Sequence, residues 1–331
     1  MVMLMAQIDV ETLKATVMAI LARSGYPPDE AQIVQEVLLY AQLRGNNQGV
    51  VKLIGAGLPR DPAVEPIRIV RETKLSALVD GGRTIGMVVM QYATDLAIAR
   101  AREHGFGIVG TRQTYTSTGA IGYYVNRAAL AGTIAFAFSG SGEYVAMHGA
   151  YEPLFGTNPL AIGIPNDGAP LVFDMATAAI ARYGVIEAQT ANRVLPSDVA
   201  YDAVGAPTTD PAAALAGAIR TFGGYKGAAL SLMVEILTGA LVETTLDDQG
   251  RKTDAGNLLL VIDPALLTDN ETFTDRVSAL VERVKASHKL PGVEEILVPG
   301  ERGNRIWEAA RATGQIEIED KLWAALQAAA S

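Results

Sequence analysis

The chain has 331 residues, of which 49% are hydrophobic, a formal net charge of −9 and no cysteine. Such a length and apolar content predict two lobes or one enlarged domain around a sizeable core, not a disordered chain. The acidic balance excludes a nucleic-acid binder, which must neutralise a phosphate backbone, and the missing cysteines exclude disulfides, thiolate metal sites and cysteine nucleophiles.

The first residues, MVMLMAQIDVETLK, carry neither the basic segment nor the small-residue cleavage site of a signal peptide. A cytoplasmic location is therefore expected. Leu13, Val17, Ile20 and Leu21 recur at helical spacing. Ile33, Val34, Val37, Leu38 and Ala41 do the same after Pro27-Pro28-Asp29, a helix-start signal. The N-terminus is predicted as two amphipathic helices.

LSALVD, beginning at Leu75, predicts a strand that ends at Gly81-Gly82. Met87 to His104 predicts a helix and FGIVGTR a second strand. TIAFAFS, LAIGIP, PLVFD and NLLLVID predict further short strands, each bounded by Gly, Pro, Asn or Asp. A long helix is predicted after GGYKG, with Leu230, Met233, Val234, Leu237 and Leu241 as one apolar stripe. The run Gly227 to Val242 is short for a bilayer and carries Glu235, so a buried helix is expected and no membrane contact. From Glu301 onward the chain reads as helical, anchored by Trp307, Ile316 and Trp323. Helices, then strands, then helices predict an α+β sheet domain, with the terminal helices forming a second lobe.

Single motifs are weak. DGGRTIG, residues 80–86, has glycines spaced GGxxxG instead of GxGxxG, which favours a tight strand–helix turn. No GxxxxGK[ST] is present, which excludes a P-loop ATPase. GGYKG, residues 223–227, puts Lys226 at a helix start, where the dipole disfavours a cation and favours an anion. A phosphate partner and a plain surface lysine both remain open there. LFGTNP (154–159) reads as a polar turn, Asp174 in FDMAT as a cap or turn former, and VPGER (298–302) as a charged turn. His104, His148 and His288 are scattered, so no metal site is expected.

In combination the blocks say more. EPLFGTNPLAIGIP, LVFDMATAAIAR, PTTDPAAALAGAI, GGYKGAALSLMVEILTGAL and VPGER occur in that order. With AQLRG and GAIGYYVNRAALAG (119–132), they resemble the successive motifs of the malate/L-lactate dehydrogenase-like oxidoreductases over nearly the whole chain. That family takes in ureidoglycolate dehydrogenase, diketogulonate reductase, sulfolactate dehydrogenase and piperideine-carboxylate reductases. The resemblance implies an α+β fold. A large, mostly antiparallel, non-Rossmann sheet domain (73–299) would bind NAD or NADP beside a helical lobe from both termini (1–72 with 300–331). It also implies a homodimer and a small-molecule substrate. Cofactor contacts would fall on Ser117, Gly119, Ser141, Thr157, Asn158, Asp174, Met175, Ala176, Thr177, Arg182, Lys226, Gly227, Gly300, Glu301 and Arg302.

The substrate half departs from the family pattern. Relatives carry RGxxSHGxxRLPxY; here the chain reads RGNNQGVVKLIGA, one residue shorter. Gln48 stands for the histidine, Asn47 for the serine, Lys52 for the arginine and Ala56 near the tyrosine. The second family histidine, in an NHFG block, is replaced within Ser117-Thr118-Gly119. Ketone reduction needs a proton at oxygen as hydride reaches carbon, and glutamine supplies none, although it can polarise. An iminium brings its own proton. The titratable candidates are Lys52, Tyr115, Tyr183 and Asp202; Asp202, in VAYD, matches an aspartate that relatives place near the site. Asp202 and Lys52 are the first choices as catalytic groups, with Gln48 beside them, and Lys52 is also expected to hold a substrate carboxylate as a point charge. The expected function is an NAD(P)H-dependent reductase of a small carboxylated imine or carbonyl, with cyclic imino acids ranked above simple 2-oxo acids. The alternative is a nicotinamide-binding member that has lost catalysis and serves a binding or regulatory role.

Overall fold

The computed structural model describes residues 5–251 and 253–331; residues 1–4, part of the stretch read for a signal peptide, lie outside them. A strand, β1 (Met5–Asp9), comes first. Asp9 then caps α1 (Val10–Arg23), its carboxylate accepting the Thr12 N–H at 2.9 Å. Helix α2 (Pro28–Gln42) begins with proline, whose missing N–H is no loss in a first turn. The two amphipathic helices are thus where the spacing put them, with Leu13, Val17, Leu21, Val34, Val37 and Leu38 buried.

A 3-10 turn (Val50–Leu53) leads to β2 (Arg68–Glu72), β3 (Ser76–Asp80), α3 (Gly86–His104) and β4 (Phe106–Thr114). Next come α4 (Gly122–Leu130), β5 (Ile134–Ser139), β6 (Val145–Ala146), β7 (Pro153–Phe155), β8 (Leu160–Ile164) and β9 (Leu171–Met175). They are followed by α5 (Arg182–Thr190), β10 (Ala200–Tyr201), α6 (Pro211–Ala216), β11 (Ala218–Ile219) and α7 (Tyr225–Thr238). The chain ends in β12 (Ala255–Ile262), α8 (Asn270–Lys285), α9 (Glu301–Thr313), β13 (Gln315–Glu319) and α10 (Asp320–Ala330).

Seven strands form the main sheet in the order β2-β3-β4-β12-β5-β8-β9. Only β3 and β4 run parallel, joined through α3; every other neighbouring pair is antiparallel. Late in sequence, β12 lies mid-sheet, and its Leu258, Leu259 and Val261 are buried because both faces are covered. Helices α3 and α4 pack on one face. There β8 can approach α4 because a Cβ on Gly163 would collide with the Val125 carbonyl. A second, four-stranded sheet, β10-β11-β6-β7, encloses a smaller core of Val145, Phe155, Val185, Leu195 and Ile219. The larger core runs from Leu13 and Val34 through Met87 and Tyr124 to Leu259.

Two expectations need correction. The C-terminal segment is not helical throughout. QIEIE forms β13, which pairs antiparallel with β1 from Met5↔Glu319 to Asp9↔Gln315 and so joins the termini. Ile316 and Ile318 face inward at period two, a five-residue signal lost between two longer helical patterns. The apolar stripe of α7 was also misplaced. Its buried face is Gly227, Ala228, Ser231, Val234 and Thr238, while Met233 and Leu241 are 49% and 55% exposed. The sheet beneath explains this: a Cβ on Gly140 or Gly256 would meet Thr238, so α7 lies too close for large side chains. Packing distance, not hydrophobicity, chose the face.

Candidate active site

A hydrogen-bonded path links most of the polar turns singled out in the sequence. Ser141 Oγ accepts the Thr157 N–H at 3.2 Å, and a Cβ on Gly156 would strike Ser141 Oγ and Asn158 Oδ1. Asn158 is fully buried at φ +40; its Nδ2 donates to Ser231 O at 3.0 Å and to Glu235 at 2.8 Å, both on α7. Its Oδ1 is buried with no partner. The Thr177 N–H and hydroxyl both donate to Thr157 O, at 3.0 and 3.1 Å. The Phe222 N–H donates to Thr177 O at 3.0 Å, and the Thr221 hydroxyl to Gly224 O at 3.0 Å. The path therefore runs from Ser141 through Thr157, Asn158 and Thr177 to the start of α7.

That start fits a phosphate-bearing group. Gly223 and Gly224 have φ of +56° and +61°, and no side chain caps the helix at Gly224. First-turn amides are left for another acceptor. Lys226 is exposed there and has no ion pair among the described residues, while Gly227 is buried against Phe222.

A second group of expected residues gathers around β9. Asp174 Oδ2 accepts the Gly122 N–H at 2.8 Å at the start of α4, so this carboxylate caps a helix far away in sequence. Desolvation pushes it up to about 6 against the lowering pull of that N–H, although part of the residue stays open to solvent. Met175 and Ala176 follow, both half-buried. Ser117 Oγ accepts the Gly119 N–H at 3.0 Å in a loop where Gln113, Thr116 and Gly119 have φ of +52°, +54° and +71°. For β-branched Thr116 that backbone is strained. Pro299 O accepts the Val172 N–H at 3.3 Å, which places the Gly300–Arg302 turn beside β9. Glu301 is drawn into ion pairs with Lys285 and Arg305, and these hold its carboxyl below the usual range. Its side chain serves the fold; Arg302 stays exposed.

The loop that departs from the family pattern meets the first turn of α5. Gln48 Nε2 donates to Asn47 Oδ1 at 3.2 Å, and its N–H donates to Asn46 Oδ1 at 2.9 Å. Asn47 Nδ2 lies 3.8 Å from the place a Gly184 Cβ would take. Lys52, in the 3-10 turn, is only 2% exposed. Its Nζ makes no hydrogen bond or ion pair among the described residues and stands 3.8 Å from the centre of the Tyr183 ring. Burial without a counter-charge lowers the ammonium from 10.5 to about 7. Burial also pushes the Tyr183 phenol up. The neighbouring Arg182 guanidinium lies 3.7 Å over the Tyr144 ring, so two aromatic-seated cations flank this turn.

Asp202 lies elsewhere in its contacts. Its Oδ1 accepts the N–H groups of Val204 at 3.0 Å and Ala206 at 2.9 Å in the turn after β10. No hydrogen bond or ion pair joins it to Gln48 or Lys52 among the described residues. The pairing of Lys52 with Tyr183 spans more than a hundred residues and leaves no trace in local spacing. Arg44 was missed altogether. It lies 4.0 Å over Tyr40 and 5.3 Å from Trp307, with Nε buried and unpartnered.

Residues 8–327 match the family model described as malate/L-lactate dehydrogenase. The chain belongs to the malate/L-lactate dehydrogenase family. It is 37% identical over 317 residues to L-sulfolactate dehydrogenase of Methanothermobacter thermautotrophicus, covering 92% of this chain and 90% of that protein. It is 32% identical over 334 residues to the NAD(+) ureidoglycolate dehydrogenase of Escherichia coli (strain K12), covering 96% and 94%. The solved structure of delta1-piperideine-2-carboxylate reductase from Pseudomonas syringae shares the fold with a TM-score of 0.85 at 30% identity, over 98% of this chain and 99% of that one. The mixed architecture of helices and several sheets is therefore that of known dehydrogenases, and this malate/L-lactate dehydrogenase family member is an oxidoreductase.

The buried lysine has a consequence for stability in this family member. Lys52 binds its proton less tightly folded than unfolded, with values near 7 and 10.5. Below pH 7 the folded protein carries the full penalty of a buried charge. Between those values unfolding takes up a proton, so the penalty shrinks as pH rises and vanishes above 10.5. Replacing Lys52 with Met, of similar length, is expected to raise the melting temperature most below pH 7 and progressively less toward pH 10. Calorimetric scans across that range check it; a gain that does not vary with pH would contradict the depressed lysine.

Proposed function

We propose that this oxidoreductase is an NAD(P)H-dependent reductase of small carboxylated imines or carbonyls. The observation that carries the reading is Lys52: an ammonium buried without a partner, in the loop where the family pattern places its substrate-reading residues. Three N–H bonds without a protein acceptor would offer an incoming carboxylate, oxygen or nitrogen a cationic partner there. Retaining such a group costs stability, which argues against the alternative of an inactive nicotinamide-binding protein.

The relatives named above act, by their names, on sulfolactate, ureidoglycolate and piperideine-2-carboxylate, and each of these carries an acidic group. A nicotinamide would supply hydride when bound. The free start of α7 with Lys226 would take a phosphate, and the turns of Ser141, Thr157, Asn158, Asp174–Thr177, Arg182 and Gly300–Arg302 would line the rest. On this reading residues 73–299 form the cofactor domain without a GxGxxG fingerprint. Lys52 would come from the terminal lobe of residues 1–72 and 300–331, and Tyr183 from the sheet domain. The exposed Met233, Ile236 and Leu241, on α7 and just after it, would supply an apolar surface for a second copy, so a homodimer is proposed. A cytoplasmic site of action is proposed with it, on the lack of cysteine.

Cyclic imino acids are ranked above 2-oxo acids, because Gln48 supplies no proton and an iminium needs none. In a screen of NADH and NADPH oxidation, cyclic imino acids are expected to turn over fastest; faster turnover of pyruvate or oxaloacetate reverses the ranking. Lys226→Ala is expected to weaken NAD(P)H binding by roughly 1.5–3 kcal/mol if the lysine pairs a phosphate. Unchanged affinity by titration calorimetry removes Lys226 from the cofactor site. Light scattering at micromolar concentration is expected to give twice the chain mass, and a monomer mass refutes the dimer.

A further inference from the structure

We infer that Lys52 and Tyr183 form the proton-delivery unit of this site, with Lys52 Nζ as the donor and the Tyr183 ring as the residue that positions it. This rests on the reductase reading above and names the group that performs its acid step.

The geometry leaves little else. Gln48 has no proton to give, and its amide is turned onto Asn47. Asp202 Oδ1 is engaged by two N–H groups of its own turn. The Tyr183 phenol is pushed up by burial, so it is a poorer acid than a free tyrosine. The Lys52 side chain is buried, its Nζ has no protein hydrogen-bond acceptor among the described residues, and it lies on the face of Tyr183 at 3.8 Å. The ring does two things. Its negative face attracts the charged form, which burial alone disfavours, and its bulk holds a flexible four-carbon chain in one place. With a value near 7, both forms of the amine are present around neutrality, which suits a group that gives a proton in one direction and takes it in the other.

Among the described residues no hydrogen bond or ion pair joins another charged group to Nζ. Helices α1 and α2 pack against the turn that carries Lys52, and several charged groups on them or just after them are engaged elsewhere. Lys14 pairs with Glu11, Glu36 accepts from Tyr123, and Arg44 stacks on Tyr40. From α5 the group facing Nζ is Tyr183, with Arg182 next to it seated on Tyr144.

In the reductive direction a bound reduced nicotinamide would supply the hydride, and with it the electron pair, for the carbon of C=O or C=N. One Nζ–H bond of Lys52 breaks as an O–H or N–H bond forms on the substrate. The neutral amine then takes a proton from water. A substrate that arrives as an iminium skips this proton transfer, and a 2-oxo acid depends on it fully.

The test combines kinetics and NMR on the full chain. Wild type, Lys52→Arg, Lys52→Gln, Tyr183→Phe and Tyr183→Leu are compared from pH 5.5 to 10 with a 2-oxo acid and a cyclic imino acid. Circular dichroism and NAD(P)H binding serve as folding controls. Wild-type kcat for reduction is expected to fall above pH 7 and for oxidation to rise there. Lys52→Arg keeps the charge but cannot release a proton, so kcat on the 2-oxo acid is expected to drop roughly 100-fold, with a smaller loss on the iminium and KM within a few-fold. Tyr183→Phe keeps the ring and is expected to keep kcat within a few-fold. Tyr183→Leu keeps the apolar bulk but loses the ring face, so the pH limb is expected to move down by roughly half to one unit. Titration of 13C-labelled lysine without cofactor reads the same shift independently of turnover. Wild-type kcat in Lys52→Arg, or a Lys52 signal titrating at an ordinary lysine value, overturns the inference. If the wild type reduces none of these substrates, the substrate reading fails. The NMR titration then decides the pair by itself: a near-neutral value that Tyr183→Leu displaces upholds it, and an undisplaced one overturns it.

Discussion

Taking an ammonium out of water costs several kcal/mol even after the protein relaxes, and at Lys52 no carboxylate offsets that cost. A cation–π contact of the kind made with Tyr183 contributes about 2 kcal/mol or somewhat more when desolvated, less than that cost. The balance must come from the folding of everything around it. The 3-10 turn of Lys52 is held against α1 and α2, whose buried leucines and valines belong to a core that continues through α3 and α4 into the main sheet. Pairing of β1 with β13 closes the two termini over that core. The rest of the fold keeps one charge in a place water would otherwise claim.

The same logic of close approach shapes the other half. Helix α7 lies near the sheet because its inward face is small and because Gly140 and Gly256 leave room for Thr238. Asn158 then reaches from the GTNP turn to Ser231 and Glu235 across that narrow gap. One buried amide thereby fixes the turn relative to the helix, and the helix start relative to the turn. A looser helix packed by its large residues would not hold this register. The cost is visible on the outside, where Met233 and Ile236 are left exposed.

These two regions differed in how far the sequence exposed them. Long periodic runs such as α1, α2 and α3, and the bounded apolar strands, were readable because local burial dictates their pattern. Short QIEIE was not, since five residues of alternation carry little weight between two helices, and its partner β1 lies at the other end of the chain. The α7 stripe misled because hydrophobicity was taken for burial, whereas glycines in another element set the contact distance. The polar turns around Thr157, Asp174 and Gly224 were legible as turns through motif blocks whose glycines have fixed local roles. The setting of Lys52 was legible only as a substitution: the sequence names Lys52 and Tyr183 as separate candidates but not that the ring seats the lysine. Asp202 looked attractive as an isolated carboxylate, yet two backbone N–H groups of its own turn bind it.

Under the proposed function, the two histidines missing from the family pattern leave a problem of reach as much as of acidity. Position 48 lies in a loop shortened by one residue relative to the family pattern. Its glutamine folds back on Asn47, while Gln42 Oε1 accepts the Val50 N–H at 3.2 Å and ties the loop to the end of α2. Such a loop presents its side chain along its own backbone. Position 52 lies one short turn further on, inside the protein, and carries a side chain with four methylenes. An arginine there would hold a carboxylate firmly in two bonds but would keep its proton. A lysine gives up the two-pronged grip and gains a titratable nitrogen. Under the proposed function, with no imidazole at position 48, that exchange would let a single side chain attract an acidic substrate while charged and accept a proton while neutral. The burial that makes Lys52 expensive for folding is also what brings its two forms to comparable populations near pH 7.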